Sequence, residues 1–169
     1  DLDLAGFAVG AMELDGGMDP SRVRAGDVVI GLPSSGIHSN GYTLVRKLIA
    51  RAGCKLDEHY DQLGETLGDA VLRPTRIYVK SVLAVLGRYR SKRAVSGMAH
   101  ITGGGLMENL NRALPPNRDA VLKKSSWPIP PIFPFLQKLG TTRREMYRVF
   151  NMGIGYVLIV RCAFVGGVM

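Results

Sequence analysis

Cysteine is scarce in this chain. Only Cys54 and Cys162 occur among 169 residues, which excludes a disulfide-held scaffold and fits a reducing compartment. Aromatic residues are also few, at 7% with a single tryptophan. They are not interleaved with basic residues in any RNA-recognition, zinc-finger or helix-turn-helix pattern. Long apolar runs are absent: the longest, Met152 to Val160, is about half of the roughly 20 residues that a membrane span requires. The opening Asp1-Leu2-Asp3-Leu4 lacks the character of a signal peptide. A soluble, cytoplasmic protein with no membrane or nucleic-acid partner is therefore expected. Acidic side chains thin out toward the end, with two (Asp119, Glu145) against nine basic ones over residues 109–169. That segment supplies most of the formal charge of +8 and points to an anionic partner, for which a phosphorylated small molecule is the expected class.

Apolar residues are plentiful. A chain that is 46% hydrophobic and 21% charged is neither disordered nor fibrous, and its length suits one domain with its own core. Short Val- and Ile-rich runs at Phe7–Leu14, Asp27–Leu32, Ala94–Ile101, Asp119–Lys123 and Ile154–Val160 predict strands. Gly16-Gly17 and Asp19-Pro20 predict the turn between the first two. Apolar residues at helical spacing predict helices from Ser39 or Asn40 to Arg51, Thr75 to Arg88, Leu106 to Leu114, Ile132 to Leu139 and Arg143 to Val149. Asn40 is the expected N-cap of the first and Gly53 its C-terminal stop. The alternation predicts an α/β fold (α+β in the broad sense), with a mixed sheet covered by helices.

Three stretches carry candidate chemistry. Asp27 to Lys47 runs from a strand through a loop of small polar residues into a helix, the outline of an anion site. Free helix-start amides attract phosphate, Gly36 and Gly41 admit a ligand close to the backbone, and Ser34, Ser35, Ser39 and Asn40 add donors. His38, at the tip of this loop, is the candidate catalytic or phosphate-binding residue, as a cation or as a single-proton donor. The alternative is a plain strand-to-helix turn with Ser34 or Asn40 capping. The second stretch, His100-Ile101-Thr102-Gly103-Gly104-Gly105, also ends a strand and opens a helix. Three consecutive glycines signal a close backbone approach, to a ligand or to a neighbouring element. If their strands are parallel neighbours, both loops share the sheet edge at which α/β folds bind ligands. The third, Glu145 to Gly155, offers Asn151 and two glycines, or simply the end of a helix. No spacing of metal ligands, no Walker loop and no nucleophile elbow is present, so no metal site is expected in this chain.

Five segments in order, DLAGFAVG, GLPSSGIHSNGYTLVRK, LRPTRIYVKSVLAVL, AHITGGGLMENLNRALP and EMYRVFNMGIGYVLIV, give the chain a resemblance to a known family. It resembles the C-terminal domain of aminoimidazole ribonucleotide synthetase, also called phosphoribosylformylglycinamidine cyclo-ligase. The resemblance implies ATP-dependent closure of formylglycinamidine ribonucleotide to aminoimidazole ribonucleotide in purine biosynthesis. In that chemistry the γ-phosphoryl group goes to the formyl oxygen, and the amidine nitrogen then attacks the resulting iminophosphate, so positioning and charge stabilisation dominate. It implies phosphate contacts from His38, with a neighbouring phosphate keeping the ring protonated, and from Asn40, with Thr102 to Gly105 facing the same cleft. It also implies a homodimer and a preceding domain that carries most of the Mg2+ and ATP site. That domain has no counterpart here. Residues 1–160 are thus expected to be the substrate-side domain and 161–169 an atypical, truncated or frameshifted tail. The isolated chain is expected to lack turnover, acting at most as a phosphate-binding module that retains the fold.

Overall fold

In the computed structural model, which describes residues 6–13 and 17–169, three apolar segments pair into one sheet. They are β1 (Val28–Pro33), β4 (Val95–His100) and β5 (Ile154–Val160). The last strand lies in the centre, antiparallel to both others, with Val28 and Val95 opposite Val160, and Leu32 and His100 opposite Tyr156. The α/β class and the helical cover match the sequence reading, but the pairing among the described residues is antiparallel throughout, not mixed. The central strand arrives last in the chain and runs against its neighbours. β1 and β4 nevertheless point the same way, so both end on the edge where β5 begins.

The helices sort by the faces they cover. α1 (Tyr42–Ala52) and α3 (Val79–Arg88) form from the expected apolar stripes, and α1 stops at Gly53, whose φ of 66° suits glycine. α3 packs Tyr78, Val82 and Leu86 on one sheet face against Leu158 and Val160. α4 (Gly105–Asn111) packs Leu106 and Leu110 on the other, against Val157 and Ile159. α5 (Ile132–Lys138) and α6 (Arg143–Val149) bury Phe133, Leu136 and Met146 in a separate cluster with Val45, Leu48 and Ile37. That cluster sits against the loop after β1. A hairpin, β2 (His59–Tyr60) with β3 (Glu65–Thr66), leads into α2 (Leu67–Leu72), which adds Leu67 and Val71 to the same cluster. α7 (Val165–Val168) is a single turn near the end.

Several expectations fail for identifiable reasons. Over the described part of Phe7–Leu14, no strand forms, and Phe7, Val9 and Met12 are exposed with no strand beside them. Leu14, Gly16 and the first residues of DLAGFAVG lie outside the described residues. Asp119–Lys123 keeps the period of a strand, with Ala120 and Leu122 turned to the core and Val121 outward, yet has no ladder partner among the described residues. The second long helix starts at Val79 instead of Thr75, because Pro74 and Thr75 run extended beside the loop after β1. Asn40 is not the N-cap of α1; Gly41 is, at φ 82° and with no side-chain cap bond. Residue 161, expected to begin the atypical tail, is tied into the sheet. The Arg161 guanidinium grips both oxygens of Asp27 at 2.9 and 3.0 Å, and Asp27 also accepts from Ser96 at 2.8 Å.

Candidate functional site

The ends of β1 and β4 and the start of β5 bring all three chemistry-bearing stretches to one edge. The loop after β1 is anchored there from below. Ser34 N–H donates to the Gly153 carbonyl at 2.9 Å, and Ser34 Oγ donates to Asn151 Oδ1 at the same distance. Asn151 is 3% exposed, and its Nδ2 donates to the carbonyls of Gly36 at 2.8 Å and Ile37 at 3.2 Å. Its Oδ1 also accepts from Gly153 N–H at 2.9 Å. The Asn151 amide is therefore engaged on every side within the chain. It shapes the loop from beneath, and a ligand has no free side of it to bind.

The second loop has an asparagine clamp of its own. Asn109, buried on α4, donates through Nδ2 to the carbonyls of Gly105 at 2.7 Å, Gly103 at 3.1 Å and Thr102 at 3.4 Å, and accepts from Thr102 Oγ1 at 3.2 Å. Of the three glycines, Gly104 (φ 90°) is the N-cap of α4. Gly105 (φ 65°) lies so close to the Tyr147 carbonyl that a Cβ would overlap it. Part of the glycine run is thus explained by close packing of α4 on α6. Gly103 is exposed, and a Cβ there would sit 3.6 Å from Asn40 Oδ1, so the two loops meet at this point. Gly41 is fixed by packing as well as by its φ, since a Cβ would overlap the Phe150 ring.

His38 lies elsewhere than at an exposed tip. It is 4% exposed, at φ 63°, and its Nε2 accepts the Ser35 N–H at 3.1 Å. Burial first, then the neighbouring His100 and Arg76, push its pKa below the ordinary histidine value. Near neutral pH it is therefore an uncharged ring. This corrects the expectation of an exposed loop tip, since the ring is buried. With Nε2 accepting, the proton sits on Nδ1, a buried atom with no partner among the described residues.

Tyr78 packs beside it and links it to His100 and Tyr156. Tyr78 is 6.2 Å from His38, centroid to centroid, 6.1 Å from His100 and 5.4 Å from Tyr156, and His100 stacks on Tyr156 at 5.8 Å. Tyr78 donates its hydroxyl to the Pro33 carbonyl at 3.0 Å. Burial raises the pKa of both tyrosines, keeping them protonated donors. Ser35 Oγ donates to the Pro74 carbonyl at 2.6 Å, and Ser39 Oγ meets Thr75 Oγ1 at 3.1 Å, so residues 74–78 run alongside the loop as its outer wall. Ser39 and His100 remain exposed, and Gly36 is buried. Beside His100, a cavity of about 250 Å3 opens along β4, with Asn109 and Arg112 on its wall.

Sequence reasoning missed Tyr78, Tyr156 and Asn109. Tyr78 and Tyr156 sit in apolar runs and read as core. For Asn109 a signal was available, because a polar residue on the buried stripe of a short helix needs partners and three glycines upstream provide carbonyls. Among the described residues, no group of three His, Cys, Asp or Glu side chains is arranged to hold a metal ion. No helix among them is long and apolar enough to cross a membrane.

Residues 24–162 match the family described as AIR synthase related protein, C-terminal domain. The chain is similar to the phosphoribosylformylglycinamidine cyclo-ligase of Desulfitobacterium hafniense, with 53% identity over 161 residues, which is 95% of this chain and 46% of that protein. The protein of that name from Paraburkholderia phymatum is 54% identical over 164 residues, 96% of this chain and 44% of its own length. That of Bordetella pertussis is 51% identical over 161 residues, at 95% and 45%. The chain spans about half the length of the curated relatives it matches.

Proposed function

Because the chain belongs to the AIR synthase related C-terminal domain family, we propose that it is the substrate-side half of a phosphoribosylformylglycinamidine cyclo-ligase. The reaction is the ATP-dependent closure of formylglycinamidine ribonucleotide to aminoimidazole ribonucleotide. One observation carries the reading: two loops at the ends of parallel-pointing strands meet at Asn40 and Gly103, next to the uncapped start of α1. Helix-start amides attract phosphate, and α1 is long enough to have a useful dipole. Ser39, Asn40, Thr102 and Gly103 line the rim of this cradle, with Ser34, Ser35, Gly36, Gly41, Gly104 and Gly105 giving it its backbone shape. Asn151 stays part of the site as the clamp beneath it.

The chain's own residues bind and orient. Nδ1–H of His38 is the buried donor available to an oxygen of the substrate, with Tyr78 packed beside the ring. Positioning of this kind suits a cyclisation in which both reacting groups belong to one molecule. ATP supplies the phosphoryl group that turns the formyl oxygen into a leaving group. The magnesium ion that accompanies ATP finds no carboxylate cluster among the described residues. These residues do not fit the ion, and we derive no step through it. We place ATP and Mg2+ mainly on the other half of the longer protein, and we extend to that protein the family's homodimer and a cytoplasmic location.

The test is complementation. Mixing this chain with a separately produced N-terminal half of a relative should restore ADP release dependent on formylglycinamidine ribonucleotide, while neither half alone turns over. Failure to restore release, with both halves folded and no phosphate bound by this chain, would overturn the assignment.

A further inference from the structure

His38 has an unusual arrangement for a buried histidine. Buried polar atoms nearly always find a partner, yet its Nδ1 has none among the described residues. The other nitrogen is committed, since a backbone N–H can only be received by a ring nitrogen that presents its lone pair. The neutral ring thus carries its proton on the free side. What holds the ring in this pose comes from a distant part of the sequence. Tyr78, 7% exposed, lies across the imidazole at an interplanar angle of 56° and is itself pinned by its hydroxyl to Pro33 at the end of β1. Room for both rings exists because residue 155 of β5, where the register with β1 shifts, is glycine. A Cβ there would lie 2.6 Å from His38 Cε1 and would overlap the Tyr78 hydroxyl. The titratable groups that bear on the ring come from each neighbouring element: Arg76 and Tyr78 ahead of α3, His100 on β4 and Tyr156, behind Tyr78, on β5.

We propose that Tyr78 is a positioning residue for His38, roofing the imidazole so that Nδ1–H stands as a neutral donor to a phosphate oxygen of the bound substrate. The inference rests on reading the loop after β1 as a phosphate cradle. In this arrangement the loop takes its anion without a charged histidine. Attraction falls to the α1 amides and to nearby cations, and His38 contributes direction.

The experiment uses the 15N-labelled chain, with its three histidines assigned by His59→Gln and His100→Gln variants. Long-range 1H–15N spectra should show His38 in the Nδ1–H form, with a titration midpoint below the ordinary histidine range. Tyr78→Phe, which keeps the ring but frees it from Pro33, should shift that midpoint slightly. Tyr78→Leu should move it up to the ordinary range, erase the tautomer preference and weaken inorganic phosphate binding about tenfold, the worth of one hydrogen bond to a charged group. Circular dichroism reports whether each variant is folded. An Nε2–H tautomer in the parent chain overturns the proposal whatever the variants do. A folded Tyr78→Leu that leaves tautomer, midpoint and phosphate affinity unchanged also overturns it. No phosphate binding by the parent, with the His38 signature intact, overturns the cradle reading alone and leaves the Tyr78–His38 geometry standing.

Discussion

Asn151 and Asn109 each replace what a loop would otherwise take from water. Loops are rich in backbone groups that must be paired when buried. At this edge two side-chain amides supply the donors, each satisfying two or three carbonyls. Asn151→Ala should therefore cost about 3 kcal/mol of unfolding free energy in urea titrations, because it leaves two buried carbonyls, one hydroxyl and one amide unpaired. A loss under about 1 kcal/mol would show that water replaces the side chain and that the clamp is dispensable. Sequence alone marked Asn151, but as a ligand contact. Composition says that an Asn lies in a loop, and only the three-dimensional course of residues 34–38 says that its amide is already engaged. The same holds for His38, whose residue type was legible and whose charge state was not. Tyr78, forty residues away in sequence, and Gly155 on β5 pack against its ring, and a loop read by itself looks exposed.

Elements whose own residues bury their own apolar face were legible. α1, with Val45 and Leu48 inward and Gly53 as its stop, and β5, with its unbroken apolar run, came close to their expected bounds. Elements that depend on a partner were not: Phe7–Leu14 and Asp119–Lys123 have strand periodicity, but no ladder forms over their described residues. α2 was overlooked although Thr66, bonding the Asp69 N–H at 3.1 Å, gives a readable capping signal. At the far edge of the sheet, the Asp27 carboxyl joins the start of β1 to β4 through Ser96 and to the end of β5 through Arg161. Burial raises its pKa, but the Arg24 amide, the Ser96 hydroxyl and the Arg161 guanidinium together hold it below the ordinary aspartate value. A carboxyl whose pKa is lower folded than unfolded adds stability above the unfolded value, and that stability is lost as pH falls through the folded one. Unfolding free energy should thus drop as pH falls below about 4, the unfolded aspartate value. Asp27→Asn should be less stable than the parent at pH 7, and the gap should narrow toward pH 3. A gap that stays constant across that range would remove Asp27 as the acid-sensitive tie.

For the molecule as a whole, the +8 charge and the proposed anion-receptive edge give opposite expectations for salt. A general excess of positive charge is screened by any salt, with a Debye length of about 8 Å at physiological strength. A built cradle, by contrast, favours one shape of anion and stabilises the fold by mass action, since phosphate binds the native state and not the unfolded chain. Inorganic phosphate at about 100 times its dissociation constant would add about 2.7 kcal/mol. For a chain of this length that is a rise in Tm of roughly 5 to 10 °C. Chloride at matched ionic strength acts only by screening and should produce a much smaller change. The phosphate increment should shrink in His38→Ala and in Asn40→Ala, because the first removes the buried donor and the second the side chain that lies beside Gly103 where the two loops meet. It should persist in Arg118→Ala, which removes a positive charge from a separate groove that Asp119 and Lys123 also line. Equal increments for phosphate and chloride, or an increment lost with Arg118 and kept without His38, would mean that the chain's charge acts diffusely and that this edge holds no anion of its own.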